Sequence, residues 1–258
     1  MGASPAPDFT ACTSADELSH RTAILAFGAT ERTTGFRNPA LLAKMADTVD
    51  EISNGRLILG LGAGWYEPEF RAVGFPFDHR FGRFEESLQI IHGLLRAGTI
   101  DFDGQYYKAR DCELRPRGPR RAGPPLLIGA RADRPRSLRL AAQYADYWNT
   151  TVNAPKGLAF ARQAVDGACI KVGRDPAELH RTAHVLIDLP GSNSSQIPVG
   201  VRTHRSARVP AIGTPEDLAE QLKAFAREGV SHVQLWLEPN MIAGIDDFLP
   251  VLELLDRG

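Results

Sequence analysis

"RLILGLGAGWYEPEF" (residues 56–70) starts as a strand and changes character within three residues. Leu57, Ile58, Leu59 and Leu61 are too apolar for either face to meet water, as in a parallel strand covered on both sides. Gly62-Ala63-Gly64 then clears side chains from the strand's carboxyl end, and Trp65, Tyr66, Glu67 and Glu69 follow at once. Two readings stay open on these residues. One is a tight turn whose aromatics pack under the next loop. The other is a bare backbone that admits a flat ring or a phosphate, with Trp65 and Tyr66 as walls and Glu67 or Glu69 bonding a polar edge.

Outward from this stretch, strand-like runs alternate with amphipathic helices. "TAILAFGAT" (22–30) predicts a strand, and the helix after it starts at Asn38 as N-cap with Pro39 at the first helical position. Leu41, Leu42, Met45, Val49 and Ile52 are expected on its core face, and Asn54-Gly55 ends it. A helix is predicted over 80–97, then a hairpin over 99–109 turning at Asp103-Gly104. Further strands are expected at 124–130, 145–150, 183–189 and 232–239, with helices between and a long Gly/Ser/Pro loop over 190–213. Thr214-Pro215-Glu216-Asp217 caps another helix, closed by Gly229. Six apolar strands, each followed by a helix, imply a parallel sheet with helices outside it. At 258 residues the choice is a (β/α) barrel or a doubly wound sheet in one domain.

In both architectures ligands meet the carboxyl ends of the strands. "LLIGARADRPRS" (126–137) repeats the logic of the opening stretch. Gly129-Ala130 ends a strand, and the amides of 129–132 lie at a helix start beside Arg131, which suits an anion as well as an ordinary connection. Trp148 reads as core, and Asn149 alone decides nothing. His184 and His232 fall in apolar strands and read as core or rim histidines.

Several classes are excluded. Thirty Lys+Arg against thirty-one Asp+Glu give a net charge of −1, so bulk charge argues for neither nucleic acid nor a membrane surface. No apolar run reaches the ~18–20 residues that span a bilayer. Three scattered cysteines without a CxxC give no metal signature and fit a reducing cytoplasm. There is no Walker loop, HExxH or Gly-x-Ser-x-Gly elbow. Gly62-x-Gly64 lacks the third glycine and the later acid of a nicotinamide Rossmann site.

The runs "FRNPALLAKMADTVDEISNGRLILGLGAGWYEPEFRAVGFPFDHRFGRFEESLQIIHGLLR", "LLIGARADRPRSLRLAAQYADYWN" and "GTPEDLAEQLKAFAREGVSHVQLWLEP" resemble the luciferase-like flavin-dependent oxidoreductases, the bacterial-luciferase superfamily. That group includes enzymes using the deazaflavin coenzyme F-420. The likeness covers residues 22–150 and 212–240. It implies a TIM (β/α)8-type barrel, a small organic substrate, and FMN or coenzyme F-420 at the C-terminal mouth, the two not being distinguishable. It also implies that Gly62, Ala63, Gly64 and Trp65 lie beside the ring or its ribityl chain, with Glu67 as a polar contact. Gly129, Ala130 and Arg131, followed by Ala132, would meet the phosphate. Trp148-Asn149 matches the family's "DGWN" strand end.

The sequence departs from the family at Ala130, where a second glycine is usual, at Arg131, which replaces a small residue, and at Tyr147. Gly28-Ala29-Thr30-Glu31-Arg32 puts charges where the family has an apolar strand end. About 20 residues precede the first strand candidate, so the family's first strand, first helix and second strand are expected to be missing. That leaves about six of eight strands, and the open edges suggest a homodimer. No catalytic acid or base is assigned and no metal is expected. The rival expectation is a truncated, non-catalytic homologue with at most weak flavin binding. A phosphate-binding aldolase-type barrel lacks a Schiff-base lysine at a strand end.

Overall fold

The side-chain oxygen of Asn38 accepts hydrogen bonds from the Ala40 and Leu41 amides at 2.9 and 3.3 Å, and Pro39 supplies the pre-set first turn of helix α1 (Pro39–Ile52). Asn54 and Gly55, both at positive φ, end it. The computed structural model describes residues 25–26, 34–152, 155–189, 211–238 and 242–257. The strand expected over 22–30 lies within them only as β1 (Leu25–Ala26). Residues 1–21, the Gly28–Arg32 stretch and most of the 190–213 loop lie outside them.

The chain divides into two compact units, residues 1–129 with 144–146, and 130–143 with 147–258. In the first unit β1 pairs parallel with β2 (Leu57–Leu61), and β2 pairs parallel with β5 (Leu126–Gly129) in the register Leu59↔Leu126 and Leu61↔Ile128. All five residues of β2 are buried, as its unbroken apolarity requires. Helix α2 (Glu67–Val73) follows β2, and α3 (Arg80–Ala97) follows that. Helix α3 buries Phe84, Leu88, Ile91 and Leu95 over the range expected, each such side chain contributing about 1.5–3 kcal/mol.

Two expectations fail in this unit. The core face of α1 is Pro39, Leu42, Ala43, Ala46, Asp47 and Asp50, whereas Leu41 and Ile52 are each 56% exposed. Small alanines let the helix approach α3 and β2 closely, and two aspartates turn inward because backbone amides and an arginine receive them. Gly118 N–H donates to Asp47 Oδ2 at 2.8 Å, and Arg120 Nε donates to Asp50 Oδ2 at 2.8 Å. The hairpin of β3 (Thr99–Asp103) and β4 (Lys108–Glu113) does not turn at Asp103-Gly104. Asp103 pairs with Lys108, and the four residues between them form the loop. Glu86 on α3 organises that loop, its carboxylate accepting from the amides of Gln105, Tyr106 and Tyr107 at 2.8, 2.8 and 2.9 Å.

In the second unit α4 (Pro135–Tyr144, its last residue belonging to the first unit) precedes three parallel strands, β6 (Tyr147–Thr151), β7 (His180–Asp188) and β8 (His232–Glu238). β6 and β7 run in the register Asn149↔Thr182, and β7 and β8 in the register His184↔Gln234. Helices α5 (Pro155–Lys171), α6 (Pro215–Arg227) and α7 (Ile242–Asp256) accompany them. Thr214 caps α6 through the capping box its sequence announces, with Thr214 and Asp217 bonding reciprocally. Ala183, Val185 and Ile187 pack with Leu158, Leu218, Phe225 and Phe248 on the helix side, joined by Val233, Leu235 and Leu237. Because side chains alternate along a strand, Thr182, His184, Gln234 and Trp236 occupy the opposite face. Among the described residues six strands run parallel, three in each unit, with the helices and α/β order expected.

Candidate functional site

Gly62 and Gly129 end neighbouring parallel strands of the first unit. Their positions follow Leu61↔Ile128 in register, so the two backbones run about 4.8 Å apart. Thr34, itself buried, holds the Gly62 carbonyl through its amide at 3.1 Å and its hydroxyl at 3.5 Å. Gly64 has a φ of 73°, which a side chain would strain. Trp65 and Tyr66 stand side by side, ring centroids 5.3 Å apart, each 43% exposed. Glu67 lies in the first turn of α2, where its carboxylate meets Arg71 at 3.1 Å on the exposed surface. The structure therefore gathers Gly62, Ala63, Gly64, Trp65 and Gly129 at one pair of strand tips, and carries the Glu67 carboxylate onto a helix surface.

Ala130 and Arg131 belong to the second unit. The Ala130 amide donates to the Asn149 carbonyl at 2.9 Å, and its carbonyl accepts from the Trp148 indole at 2.9 Å. Both its backbone groups are thus engaged, one by a backbone carbonyl and one by an indole. Arg131 forms a two-point pair with Asp133, at 3.0 and 3.1 Å, on the surface. Among the described residues the amides of Arg131, Ala132 and Asp133 have no hydrogen-bond acceptor, and they precede the first turn of α4. Those are the groups that could meet an anion there. Trp148 is fully buried, as a core tryptophan should be.

Sequence reasoning missed a polar cluster on the inner face of β6, β7 and β8. Asn149 and Thr182 are 3% and 1% exposed, and Asn149 Nδ2 donates to Thr182 Oγ1 at 2.8 Å and to Gln234 Oε1 at 2.9 Å. His184 is buried 6.0 Å from the Trp236 ring, and the Trp236 indole donates to Glu238 at 2.9 Å. The signal was present as a period-two alternation: Thr182 and His184 in β7, Gln234, Trp236 and Glu238 in β8. Polar residues at every second position ordinarily mark a water-facing strand side. Here the two on β7, Thr182 and His184, are buried, and Gln234 and Glu238 are half-buried.

Among the described residues no helix is long and apolar enough to cross a membrane, and no group of three or more His, Cys, Asp or Glu could hold a metal ion.

The profile of luciferase-like monooxygenases matches residues 7–188. The chain belongs to the luciferase-like monooxygenase family. The pyrimidine monooxygenase RutA of Stutzerimonas stutzeri (strain A1501) is 35% identical over 156 residues, 57% of this chain and 41% of that protein. The FMNH(2)-dependent dimethylsulfone monooxygenase of Pseudomonas putida is 30% identical over 145 residues, 53% of this chain and 39% of that protein. The matched stretch thus spans about two fifths of the length of these curated relatives. An F420-dependent secondary alcohol dehydrogenase, solved with an F420-acetone adduct, superposes with a TM-score of 0.69 at 19% identity, over 91% of this chain and 78% of that one. This last likeness shows the fold alone, the α/β fold that the resemblance implied.

Proposed function

We propose that this chain is a flavin- or deazaflavin-dependent oxidoreductase or monooxygenase of the luciferase-like class, acting on a small organic substrate. The observation that carries the reading is the pair of side-chain-poor strand tips at Gly62 and Gly129, with Trp65 and Tyr66 directly after one of them. In the first unit bare backbone and an aromatic wall suit a tricyclic ring, and in the second, taken by itself, the amides of Arg131, Ala132 and Asp133, without an acceptor among the described residues, suit a phosphate. FMN and coenzyme F-420 share ring, ribityl chain and phosphate, so both suit these groups. When bound, the ring supplies the hydride or oxygen chemistry, and the protein supplies orientation and exclusion of water. In this reading Gly62, Ala63, Gly64, Trp65 and Gly129 flank the ring or its chain. Arg131 reaches the phosphate only by leaving Asp133, and Ala130 contributes shape without its amide.

The engagement of Ala130 and Arg131 elsewhere favours one rival, a homologue that binds flavin weakly and does no chemistry. Titration of the purified chain with FMN and with coenzyme F-420, followed by absorbance between about 350 and 470 nm, decides. A saturable spectral shift with either cofactor is the expected result. No shift with both overturns the assignment.

The reading extends to a cytoplasmic protein that self-associates. Leu41, Met45 and Ile52 form an exposed apolar stripe on α1, which a second copy would cover. Light scattering should give twice the chain mass, and a monomer removes this part of the reading.

A further inference from the structure

The hydroxyl of Thr182 has one proton, and it is given to the Trp148 carbonyl at 3.1 Å. Toward Asn149 that oxygen can therefore only accept, so the Asn149 atom 2.8 Å away must be Nδ2. The second Nδ2 proton goes to Gln234 at 2.9 Å, which must present Oε1. One backbone carbonyl thus fixes which way two amide side chains face. What remains is an acceptor, Asn149 Oδ1, and a donor, Gln234 Nε2, and neither has a partner among the described residues. Asn149 is 3% exposed, and its carbonyl is the side-chain group it still has to offer a partner. Trp236 lies two residues along the same face of β8 as Gln234, more than a third exposed, with its indole held by Glu238.

We propose that Asn149 and Gln234 read the edge of a planar heterocycle that carries a ring N–H beside a ring C=O, a cyclic amide or imide. Asn149 Oδ1 accepts from the N–H, Gln234 Nε2 donates to the carbonyl, and Trp236 offers an aromatic plane to the ring. Thr182 is a positioning residue: without its hydroxyl the asparagine amide could turn over and the donor–acceptor order would no longer be fixed. The proposal deepens the flavoenzyme reading and rests on it for the expectation that an organic ring reaches this face. The same edge occurs on a free heterocycle and on the pyrimidine ring of a flavin.

The test is calorimetric titration of the full chain with four probes: uracil, 1,3-dimethyluracil, lumiflavin and 3-methyllumiflavin. Methylation removes the ring N–H and leaves the carbonyls. At least tenfold weaker binding of the methylated member in either pair is the expected result, and the pair that responds tells whether free heterocycle or flavin ring occupies the edge. Q234E, which keeps the acceptor toward Asn149 and replaces the donor, should weaken the same parent ligand at least tenfold. T182V should shrink the ratio between parent and methylated ligand, a change that a merely structural threonine would not produce. Equal binding of both members in both pairs overturns the proposal without recourse to any variant, as does failure of all four probes to bind. FMN binding that persists while neither N–H matters would leave the flavoenzyme reading standing and sink this one alone.

Discussion

Arg120 holds the fully buried carboxylate of Asp50 from two guanidinium nitrogens, and the same guanidinium donates to the Leu57 carbonyl at 2.6 Å. Asp50 in turn accepts from the Leu57 amide at 3.2 Å. The pair therefore fastens the end of α1 to the first residue of β2, the strand whose tip carries Gly62. Removing the arginine would strand a charge with no exposed surface, which costs about 3–5 kcal/mol. R120L is expected to lose stability of that order in urea denaturation, and D50N/R120L to recover part of it. A loss for R120L under about 1 kcal/mol, the value of a surface pair, would contradict this account.

Glu86 holds the β3–β4 loop from outside it. Three amide donors converge on one carboxylate, so the β3–β4 loop depends on a residue from another element. In E86A the amides of Gln105, Tyr106 and Tyr107 should exchange with solvent at least about tenfold faster, in keeping with loss of charge-assisted bonds. The rates along α3 should stay as they were. G104A should act in the same direction, because a Cβ there would approach Glu86 Oε2 and Phe102 to 2.5 Å. Unchanged exchange at all three amides in E86A would show that the loop holds itself.

These two carboxylates also show where the sequence was readable and where it was not. Local signals decided the elements: the Asn38-Pro39 start, the 80–97 helix and the Thr214–Asp217 box depend on neighbours a few residues away, and the structure has each. The face of α1 and the turn of the hairpin depend on Arg120, Gly118 and Glu86, 19 to 71 residues distant. A charge 70 residues away can turn an aspartate inward and leave leucines outside, and no periodicity within the helix reports it. The strand-tip glycines of the candidate site were legible because clearing side chains is a property of the chain itself. The Asn149–Thr182–Gln234 network was not, since it exists only once three separate strands align in register.

Trp148 ties that register to the turn after β5. Its indole nitrogen donates to the Ala130 carbonyl from a fully buried position. W148F keeps an aromatic ring but loses the donor and part of the volume, so a cost of about 2–3 kcal/mol is expected. The Ala130 amide, bonded to Asn149 in the same turn, should lose protection from exchange more than the amides of α6 do. Equal loss across the unit would mean that the indole contributes volume alone.

His92 sits half-buried on α3 with Tyr144 edge-on at 5.4 Å. Burial, and after it the Arg96 guanidinium, hold its imidazole below the ordinary 6.5, while Asp146 pulls weakly the other way. The folded state thus prefers the neutral ring and binds fewer protons than the unfolded chain. Stability is then full above about 6.5 and is lost as pH falls from there through the folded value. H92Q removes the titrating group, so its melting temperature should fall less than that of the parent between about pH 7 and pH 5. Other groups titrate in both proteins and cancel in the difference. Parallel melting curves across that interval would mean that His92 is as easily protonated folded as unfolded, and that its burial beside Arg96 has no energetic consequence.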